Sequence, residues 1–301
     1  MNVSKKTSLL FCVILSFALK PPLHALPVDL KTAGPGNWAV LQAGDGNISL
    51  NAGGPVNGIT GNVGINGTGT FALTGGTFVV GKAVAATNVN QVTMSGGATV
   101  SGGVTKNTPQ LAQAATDAMS ASTAASGLAT SGGGVGVTTL SSTVTLQPGV
   151  YNLTGGINLS GGDIVTLAFV PGGSYVFNVF SQFKIGGGGL DGIFLAAGLS
   201  ATEVLFNYVG TAAVAFTGGG AGDNSILNGI LLSRTAKVNL SPGTVNGEII
   251  AFDDIALVSG SDVHGSLPLP QVPEAGSTAA FLGLGLLAVG ALRRKLARTP
   301  Q

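Results

Sequence analysis

Three stretches repeat one pattern: Gly149-Val150-Tyr151-Asn152-Leu153, Tyr175-Val176-Phe177-Asn178-Val179 and Val204-Leu205-Phe206-Asn207-Tyr208. Each stretch has an aromatic residue, an asparagine and then an apolar residue, and the asparagines are 26 and 29 residues apart. A repeat of this length is typical of a solenoid, in which each repeat forms one coil and equivalent asparagines stack in a ladder. The pattern therefore predicts a β-solenoid, with these asparagines as turn and ladder residues and not as a ligand site.

The sequence around these repeats predicts an all-β body. Many short runs of β-branched and apolar residues are separated by Gly-Gly, Asn-Gly and Pro-Gly turns. A second, shorter sequence repeat occurs at Val56-Asn57-Gly58-Ile59, Leu227-Asn228-Gly229-Ile230 and Val245-Asn246-Gly247-Glu248. Because Asn-Gly is also the strongest hairpin signal, an antiparallel β-sandwich stays open as the alternative.

One helix is expected to interrupt the strands, over about residues 108–127. Thr108 is suited to cap it, Pro109 fits its first turn, and Gly127 follows an alanine-rich run. Its apolar stripe is narrow, so the helix should lie along the β body. The predicted members of the stripe are Leu111, Ala115, Ala118, Met119 and Ala125. Residues 131–136 are predicted to form a flexible join.

Composition narrows the range of functions. Charged residues are 8% of the chain, and glycine accounts for 50 of 301 residues. Residues 26–271 contain no cysteine, one histidine, eleven acidic and six basic residues, which gives a net charge of −5. These numbers exclude disulfide or thiol chemistry, a histidine-based metal site and the basic surface of a nucleic-acid-binding protein. No cofactor is expected.

Both ends of the chain carry targeting features. Lys5 and Lys6 precede a short apolar run, and Ala25 ends a plausible cleavage site, so residues 1–25 are predicted to be a signal peptide. The body should span residues 26–265, and residues 266–272 should be an extended, proline-containing linker. An apolar helix over residues 278–292 is marginal as a permanent membrane span, because about 20 residues are needed. The basic residues that follow it should stay on the cytoplasmic side of the membrane, and they are Arg293, Arg294 and Lys295.

Residues 273–298 resemble the PEP-CTERM sorting signal of bacterial surface proteins that are processed by an exosortase. The residues that carry the resemblance are Val272, Pro273, Glu274, Ala275, Gly276 and Ser277, together with the apolar helix and the basic stop. Ala275 departs from the usual Pro-Glu-Pro. The resemblance implies an exported protein at the cell surface of a Gram-negative bacterium. Its expected partners are an exosortase-type enzyme and the inner membrane, which the tail would enter.

The body resembles the bacterial ice-binding-protein-like domain and, in part, the choice-of-anchor A surface domains. The order of Gly-rich strands, alanine-rich helix and later strands carries the likeness, with Asn228-Gly229-Ile230 and Val245-Asn246-Gly247 among the matching stretches. It covers roughly residues 38–263. It implies a right-handed β-solenoid with one helix packed alongside.

Three functions compete. The sequence favours a structural or adhesive protein of the extracellular polysaccharide or biofilm matrix, with exopolysaccharide as a partner and no enzymatic activity. The alternative is an ice-binding protein, with Thr68 and Thr70 on one side of a strand as the candidate ice face; other candidates are Thr74, Thr77, Thr143 and Thr145. A glycan-acting enzyme would need an acid pair from Glu248 and Asp253-Asp254.

Overall fold

The computed structural model describes residues 28–51, 58–218, 225–258 and 260–265. The predicted signal peptide, the linker, the sorting motif with its basic stop and the apolar helix at 278–292 lie outside these ranges. In the part of the chain that the structure describes, no helix is long and apolar enough to cross a membrane.

The chain forms short strands on both sides of one helix. The first ten strands are β1 (Val40–Gln42), β2 (Ile48–Asn51), β3 (Gly58–Thr60), β4 (Val63–Ile65), β5 (Phe71–Leu73), β6 (Phe78–Val80), β7 (Ala83–Ala85), β8 (Val92–Met94), β9 (Thr99–Val100) and β10 (Val104–Lys106). Helix α1 (Thr108–Ser126) follows. Single 3₁₀ turns lie at Lys31–Ala33, Val89–Gln91 and Ala201–Glu203.

After the helix the strands become longer. They are β11 (Ser131–Gly132), β12 (Thr139–Leu140), β13 (Val144–Leu146), β14 (Gly149–Leu153), β15 (Gly156–Leu159), β16 (Ile164–Leu167), β17 (Tyr175–Val179), β18 (Phe183–Gly186), β19 (Gly192–Leu195), β20 (Val204–Tyr208), β21 (Val214–Thr217), β22 (Ser225–Ser233), β23 (Val238–Leu240), β24 (Gly243–Ala251), β25 (Ile255–Val258) and β26 (Asp262–His264).

The strands stack into a solenoid with three faces. The helix face contains β14, β17, β20, the ends of β22 and β24, and then β1, β4, β7 and β10. The mixed face contains β13, β16, β19, the starts of β22 and β24, and then β26, β3, β6 and β9. The small-residue face is a separate sheet in the order β12-β15-β18-β21-β23-β25-β2-β5-β8.

The direction of pairing decides between the two folds that the sequence left open. Among the strands of the described residues, all pairings are parallel except β11 with β14. The antiparallel sandwich is therefore wrong and a β-solenoid-like architecture is confirmed, while its right-handed coil stays a prediction.

The coils do not stack in chain order. Strand β1 pairs with β24 on one side and with β4 on the other, so the chain starts in the middle of the stack. It builds outward to β10, and α1 then returns it to the far end at β11 and β12. The remaining coils lead back to the middle, where β24 to β26 meet β1 to β3.

Two apolar cores hold the coils together. The first fills the solenoid and contains a stack of aromatic rings from Tyr151, Phe177 and Phe206, with centroids 4.7 and 4.8 Å apart. The second lies between α1 and the helix face, where Leu111 and its neighbours cover Leu41, Val176 and other outward residues. Among the described residues, both cores combine strands from before and after α1, as expected of a single folding unit.

The helix confirms the predicted position but corrects several details. Its N-cap is Asn107, whose side chain accepts from the backbone of Gln110, and not Thr108. The buried stripe is Leu111, Ala114, Ala118, Ala121 and Ala125, at spacings of three and four residues, so Ala114 and Ala121 replace the predicted Ala115 and Met119.

The segment after the helix is also more ordered than predicted. Residues 131–136 were expected to form a flexible join, but Ser131 and Gly132 pair antiparallel with β14. A short antiparallel strand therefore lies at this end of the stack and covers the edge of β14, where an unpaired strand would otherwise be open to association.

Candidate functional site

The repeated asparagines form a buried ladder beneath the helix. Asn152, Asn178 and Asn207 lie in register on neighbouring strands, as the repeat predicts. Asn207 Nδ2 donates to Asn178 Oδ1 over 2.9 Å, and Asn178 Nδ2 donates to Asn152 Oδ1 over 2.9 Å. The ladder also contacts the helix, since Ser122 Oγ donates to Asn207 Oδ1 over 2.7 Å. With these amides used by neighbouring coils and by α1, the ladder is structural.

Only two of the three copies of the shorter sequence repeat are equivalent in the structure. Asn228 and Asn246 are in register, Asn246 Nδ2 donates to Asn228 Oδ1 over 2.9 Å, and Gly229 lies beside Gly247. These two glycines, at φ of 150° and 147°, lie where β22 and β24 pass from the mixed face to the helix face. Gly58 instead pairs with Phe78 within the mixed face. The first copy of the shorter repeat is therefore not in register with Gly229 and Gly247.

The small-residue face presents a row of side chains that crosses the stack in register. The outward position on eight successive strands is occupied by Asn158, Lys184, Ala215, Asn239, Ala256, Ser49, Ala72 and Thr93. The alternate positions on these strands are apolar and, except for Met94 on β8, buried in the solenoid core. Lys184 is the one charged residue in this row, and no side chain in the central five positions is larger than asparagine. The row is therefore narrow, regular and nearly uncharged.

Thr68 and Thr70 lie beside that row and not on it. Both are exposed and precede β5, at the corner where the chain passes from the helix face to the small-residue face. Thr70 Oγ1 donates to Asn47 Oδ1 over 2.9 Å, and the backbone amide of Thr68 donates to Asp45 Oδ1 over 3.0 Å. These contacts join consecutive coils, and the predicted role of Thr68 and Thr70 in binding ice stays a prediction.

The other candidate threonines lie on different parts of the solenoid. Thr74 follows β5 at the other end of the small-residue face, and Thr77 is fully buried, with its hydroxyl donating to the carbonyl of Thr74. Thr145 is exposed on the mixed face, in register with Thr166, and Thr143 accepts from the backbone of Ile164 through its hydroxyl. These four residues do not form one array.

The mixed face is less regular. Its outward residues include Phe78 and Phe194 among threonines and asparagines, and Asp262 and His264 on β26. His264 lies in a paired strand next to Asn246 and Thr60. Large rings and ionisable groups interrupt this face.

The surroundings of Glu248 do not suit the acid pair that a glycan-acting enzyme would need. Glu248 lies within β24 and is 1% exposed, and neither of its carboxyl oxygens has a hydrogen-bond partner. Asp253 is five residues further along the chain, in the corner that follows β24. Asp254 accepts from the backbone of Asn47 over 2.8 Å and so joins two coils.

Burial controls the ionisation of Glu248. Desolvation raises the pKa of its carboxyl group well above the ordinary value, because no donor or positive charge compensates for the loss of water. Among the described residues, no three acidic or histidine side chains come together as they would to hold a metal ion.

The sequence did not reveal the row that crosses the small-residue face. Ser49 lies between Ala256 and Ala72 because β2 pairs with both β25 and β5, and β2 and β25 are far apart in the chain. A local signal was present in strands such as Phe71-Ala72-Leu73 and Ile255-Ala256-Leu257, where a small residue lies between two buried apolar residues. Only the stacking shows that these small residues are neighbours.

Comparison with protein families gives two matches. A model described as "Ice-binding-like" matches residues 45–261, and a model of the VPDSG-CTERM motif matches residues 271–296. Val272, Pro273 and Gly276 stand at the V, P and G of that motif, and Glu274 replaces its aspartate. The predicted resemblances to an ice-binding-protein-like domain and to a PEP-CTERM-type sorting signal are confirmed. The motif has no second proline, which explains why Ala275 departs from Pro-Glu-Pro.

Solved structures with the same fold are ice-binding proteins. One from an Arctic yeast is 22% identical, with a TM-score of 0.58, and covers 82% of this chain and 98% of its own. One from an Antarctic Biological Consortium is 18% identical, with a TM-score of 0.53, and covers 87% of this chain and 95% of its own. One from the Antarctic ascomycete Antarctomyces psychrotrophicus is 18% identical, with a TM-score of 0.52, and covers 78% and 97%. No curated protein matches this chain.

These findings correct the function that the sequence favoured. A structural or adhesive protein of a polysaccharide or biofilm matrix is wrong, because the family model that covers most of the body describes an ice-binding-like domain. The earlier preference rested on a polar, weakly charged surface and on the sorting tail, and neither feature separates a matrix protein from an ice-binding one. The findings favour the alternative, an ice-binding protein.

Proposed function

This chain belongs to the ice-binding-like family, and on that premise we propose that it binds ice through its small-residue face. The observation that carries the choice of face is the registered row with Ala215, Asn239, Ala256, Ser49 and Ala72 at its centre. A solid lattice of water needs a partner whose surface repeats at a fixed spacing. Neighbouring strands supply such a repeat, about 4.7–4.9 Å apart.

Low charge and small size favour this face. A charged group keeps its own hydration shell and is costly to transfer away from liquid water. In the outward row only Lys184, near one end, carries a charge. Methyl, hydroxyl and amide groups of similar height also let the ice surface approach several coils at once, so that weak contacts add up.

The two other faces are less suitable. On the helix face, α1 covers the outward residues Leu41, Val176 and Leu205. On the mixed face, Phe78 and Phe194 project between smaller residues, and Asp262 adds a carboxylate. Neither surface offers an uncovered, uniform row.

The sorting signal adds a cellular location to the proposed function. The match at residues 271–296 supports export to the cell surface and processing by an exosortase-type enzyme, with the tail in the inner membrane before processing. The proposal includes no catalytic role and no cofactor, and ice takes the place of a molecular substrate.

The test measures inhibition of ice recrystallisation by residues 26–271 and two tyrosine variants. Ser49→Tyr puts a ring at the centre of the row, between Ala256 and Ala72. Thr145→Tyr puts the same ring on the mixed face and is the matched control, since both replaced residues are exposed. Circular dichroism and thermal unfolding show that each variant keeps the fold.

The proposal expects the concentration needed for inhibition to rise at least ten-fold in Ser49→Tyr and to stay unchanged in Thr145→Tyr. The opposite result would assign ice binding to the mixed face. A third variant, Thr70→Tyr, tests the corner that contains Thr68 and Thr70. A loss in Thr70→Tyr alone would place the ice contact there, and a wild-type body without inhibition would remove the proposed function.

A further inference from the structure

The point where the body ends is fixed by its last strand. His264 of β26 pairs with Asn246 and Thr60, and the backbone amide of Gly265 donates to the carbonyl of Thr60 over 2.8 Å. This register puts Gly265 beside Gly247, where β24 turns from the mixed face to the helix face. The chain therefore leaves the body at the corner between these two faces.

This corner is opposite the small-residue face. A coil with three faces has three corners, and the corner shared by two faces lies across the solenoid from the third. Strand β26 is also sixth of the nine strands along the mixed face, so the exit is near the middle of the stack. Gly265, the last described residue, is therefore on the side of the solenoid away from the row that contains Ser49.

The other end of the body is also away from that row. The 3₁₀ turn at Lys31–Ala33 packs against α1, where the backbone amide of Thr32 donates to Asp117 over 3.2 Å. Trp38 is buried in the core beneath the helix. The described residues thus begin beneath the helix and end at the corner between the helix face and the mixed face.

From this geometry we propose that the protein is a tether, which binds ice while its C-terminal end is attached to the surface that carries it. This inference rests on the proposed function of the small-residue face and adds a second role to it, because the attached body links its carrier to ice. The seven residues 266–272 span at most about 25 Å. A short connection at the opposite corner leaves the small-residue face pointing away from the carrier.

The test attaches the body to beads at one chosen position. The only cysteine in the chain is Cys12, in the predicted signal peptide, so one introduced cysteine in residues 26–271 defines one attachment point. Gln271→Cys attaches the body through its natural end, and Ser49→Cys attaches it through the small-residue face. Thr145→Cys attaches it through the mixed face. Beads with equal protein loading are frozen slowly with growing ice, and those held at the ice surface are counted.

The tether model expects at least ten-fold more Gln271→Cys beads than Ser49→Cys beads on the ice. A parallel measurement uses the free Gln271→Cys body, labelled with a small fluorophore, and asks whether it coats ice. If the free body coats ice and the Gln271→Cys beads adsorb no better than the Ser49→Cys beads, the tether model is overturned while ice binding stands. If the free body does not coat ice, both proposals fail. More adsorption through Thr145→Cys than through Gln271→Cys would also contradict the tether orientation.

Discussion

Asn207 and Asn178 are 29 residues apart in the chain, and the side-chain amide of Asn207 donates to the side-chain oxygen of Asn178 over 2.9 Å beneath α1. The same amide of Asn207 donates to Ser126 Oγ over 3.0 Å and to the carbonyl of Ser122 over 3.2 Å. One side chain thus fixes two relationships: the register of neighbouring coils and the position of the helix on them.

Loss of this amide should destabilise the whole body. Asn207→Ala leaves Ser122 Oγ and Asn178 Oδ1 without a partner in a buried site, which costs about 1–3 kcal/mol. Asn158→Ala, on the partly exposed small-residue face, is the control and should change the free energy of unfolding by about 0.5 kcal/mol or less. Urea denaturation followed by circular dichroism measures both. Equal effects would show that the ladder adds nothing to stability.

Glu248 should make the body less stable as the pH rises. Its pKa in the folded state is raised above the ordinary value of 4.5, so the folded state holds a proton that the unfolded state has lost. Between these two pKa values, each pH unit lowers the free energy of unfolding by about 1.4 kcal/mol. Below the pKa of the unfolded state, Glu248 is protonated in both states, and the stability that its neutral form contributes is fully present.

Glu248→Gln removes this dependence, because an amide does not ionise. The difference in unfolding free energy between Glu248→Gln and the wild type should therefore shift in favour of the variant from pH 4 to pH 8. Urea denaturation across this range gives the difference. A constant difference would mean that Glu248 has the same pKa in the folded and unfolded states.

Asp117 should act in the opposite direction. The Thr32 hydroxyl, which donates to the carboxylate, lowers the pKa of Asp117, and Gln113 and the Thr32 backbone add to this against the effect of burial. A depressed pKa contributes stability that is present above the ordinary value of 3.8 and is lost as the pH falls through the folded-state pKa.

Thr32→Val should therefore cost about 1 kcal/mol at pH 7 and less at a pH below the folded-state pKa of Asp117, where the carboxylate takes up a proton. Thr116→Val is the matched control, since its hydroxyl bonds the carbonyl of Ala112 within the exposed side of the same helix. Acid unfolding at fixed urea concentration compares the two. If Thr32→Val lowers the free energy of unfolding equally at both pH values, the contribution of the Thr32 contact does not depend on the charge of Asp117.

Gly247 should tolerate no side chain. Its φ is 147°, and a Cβ atom there would lie 2.1 Å from the carbonyl oxygen of Gly229 on the next strand. Gly247→Ala should destabilise by roughly 1–3 kcal/mol, because the two coils must separate locally. Gly127→Ala is the control: at the end of α1, φ is −82° and a Cβ atom would meet only ordinary contacts of 3.6 and 3.7 Å. Thermal unfolding measures both, and equal shifts would refute the close approach.

Local properties of the sequence were enough to predict the kinds of element. Alternating apolar residues and glycine turns predicted short strands, and the alanine-rich run after Asn107 predicted α1. The repeat around Tyr151, Phe177 and Phe206 predicted stacked coils, because equivalent aromatic and asparagine side chains in register can stack. The targeting features at both ends also depend only on local sequence.

The tertiary structure alone decided which coils are neighbours. Asn47 contacts Asp254 across 207 residues of sequence, and Ser49 meets Ala256 on the same pair of strands. Local sequence preferences do not specify that β24 pairs with β1, because β1, β4 and β24 all present the same kind of open strand edge. The pairing of β1 with β24 forms because it buries the open strand edges of both sets of coils. On either side of this pairing, α1 covers Leu41 and Ile250. The row of small side chains exists only after that closure, and so the sequence by itself determined the family and the elements but not the surface proposed to bind ice.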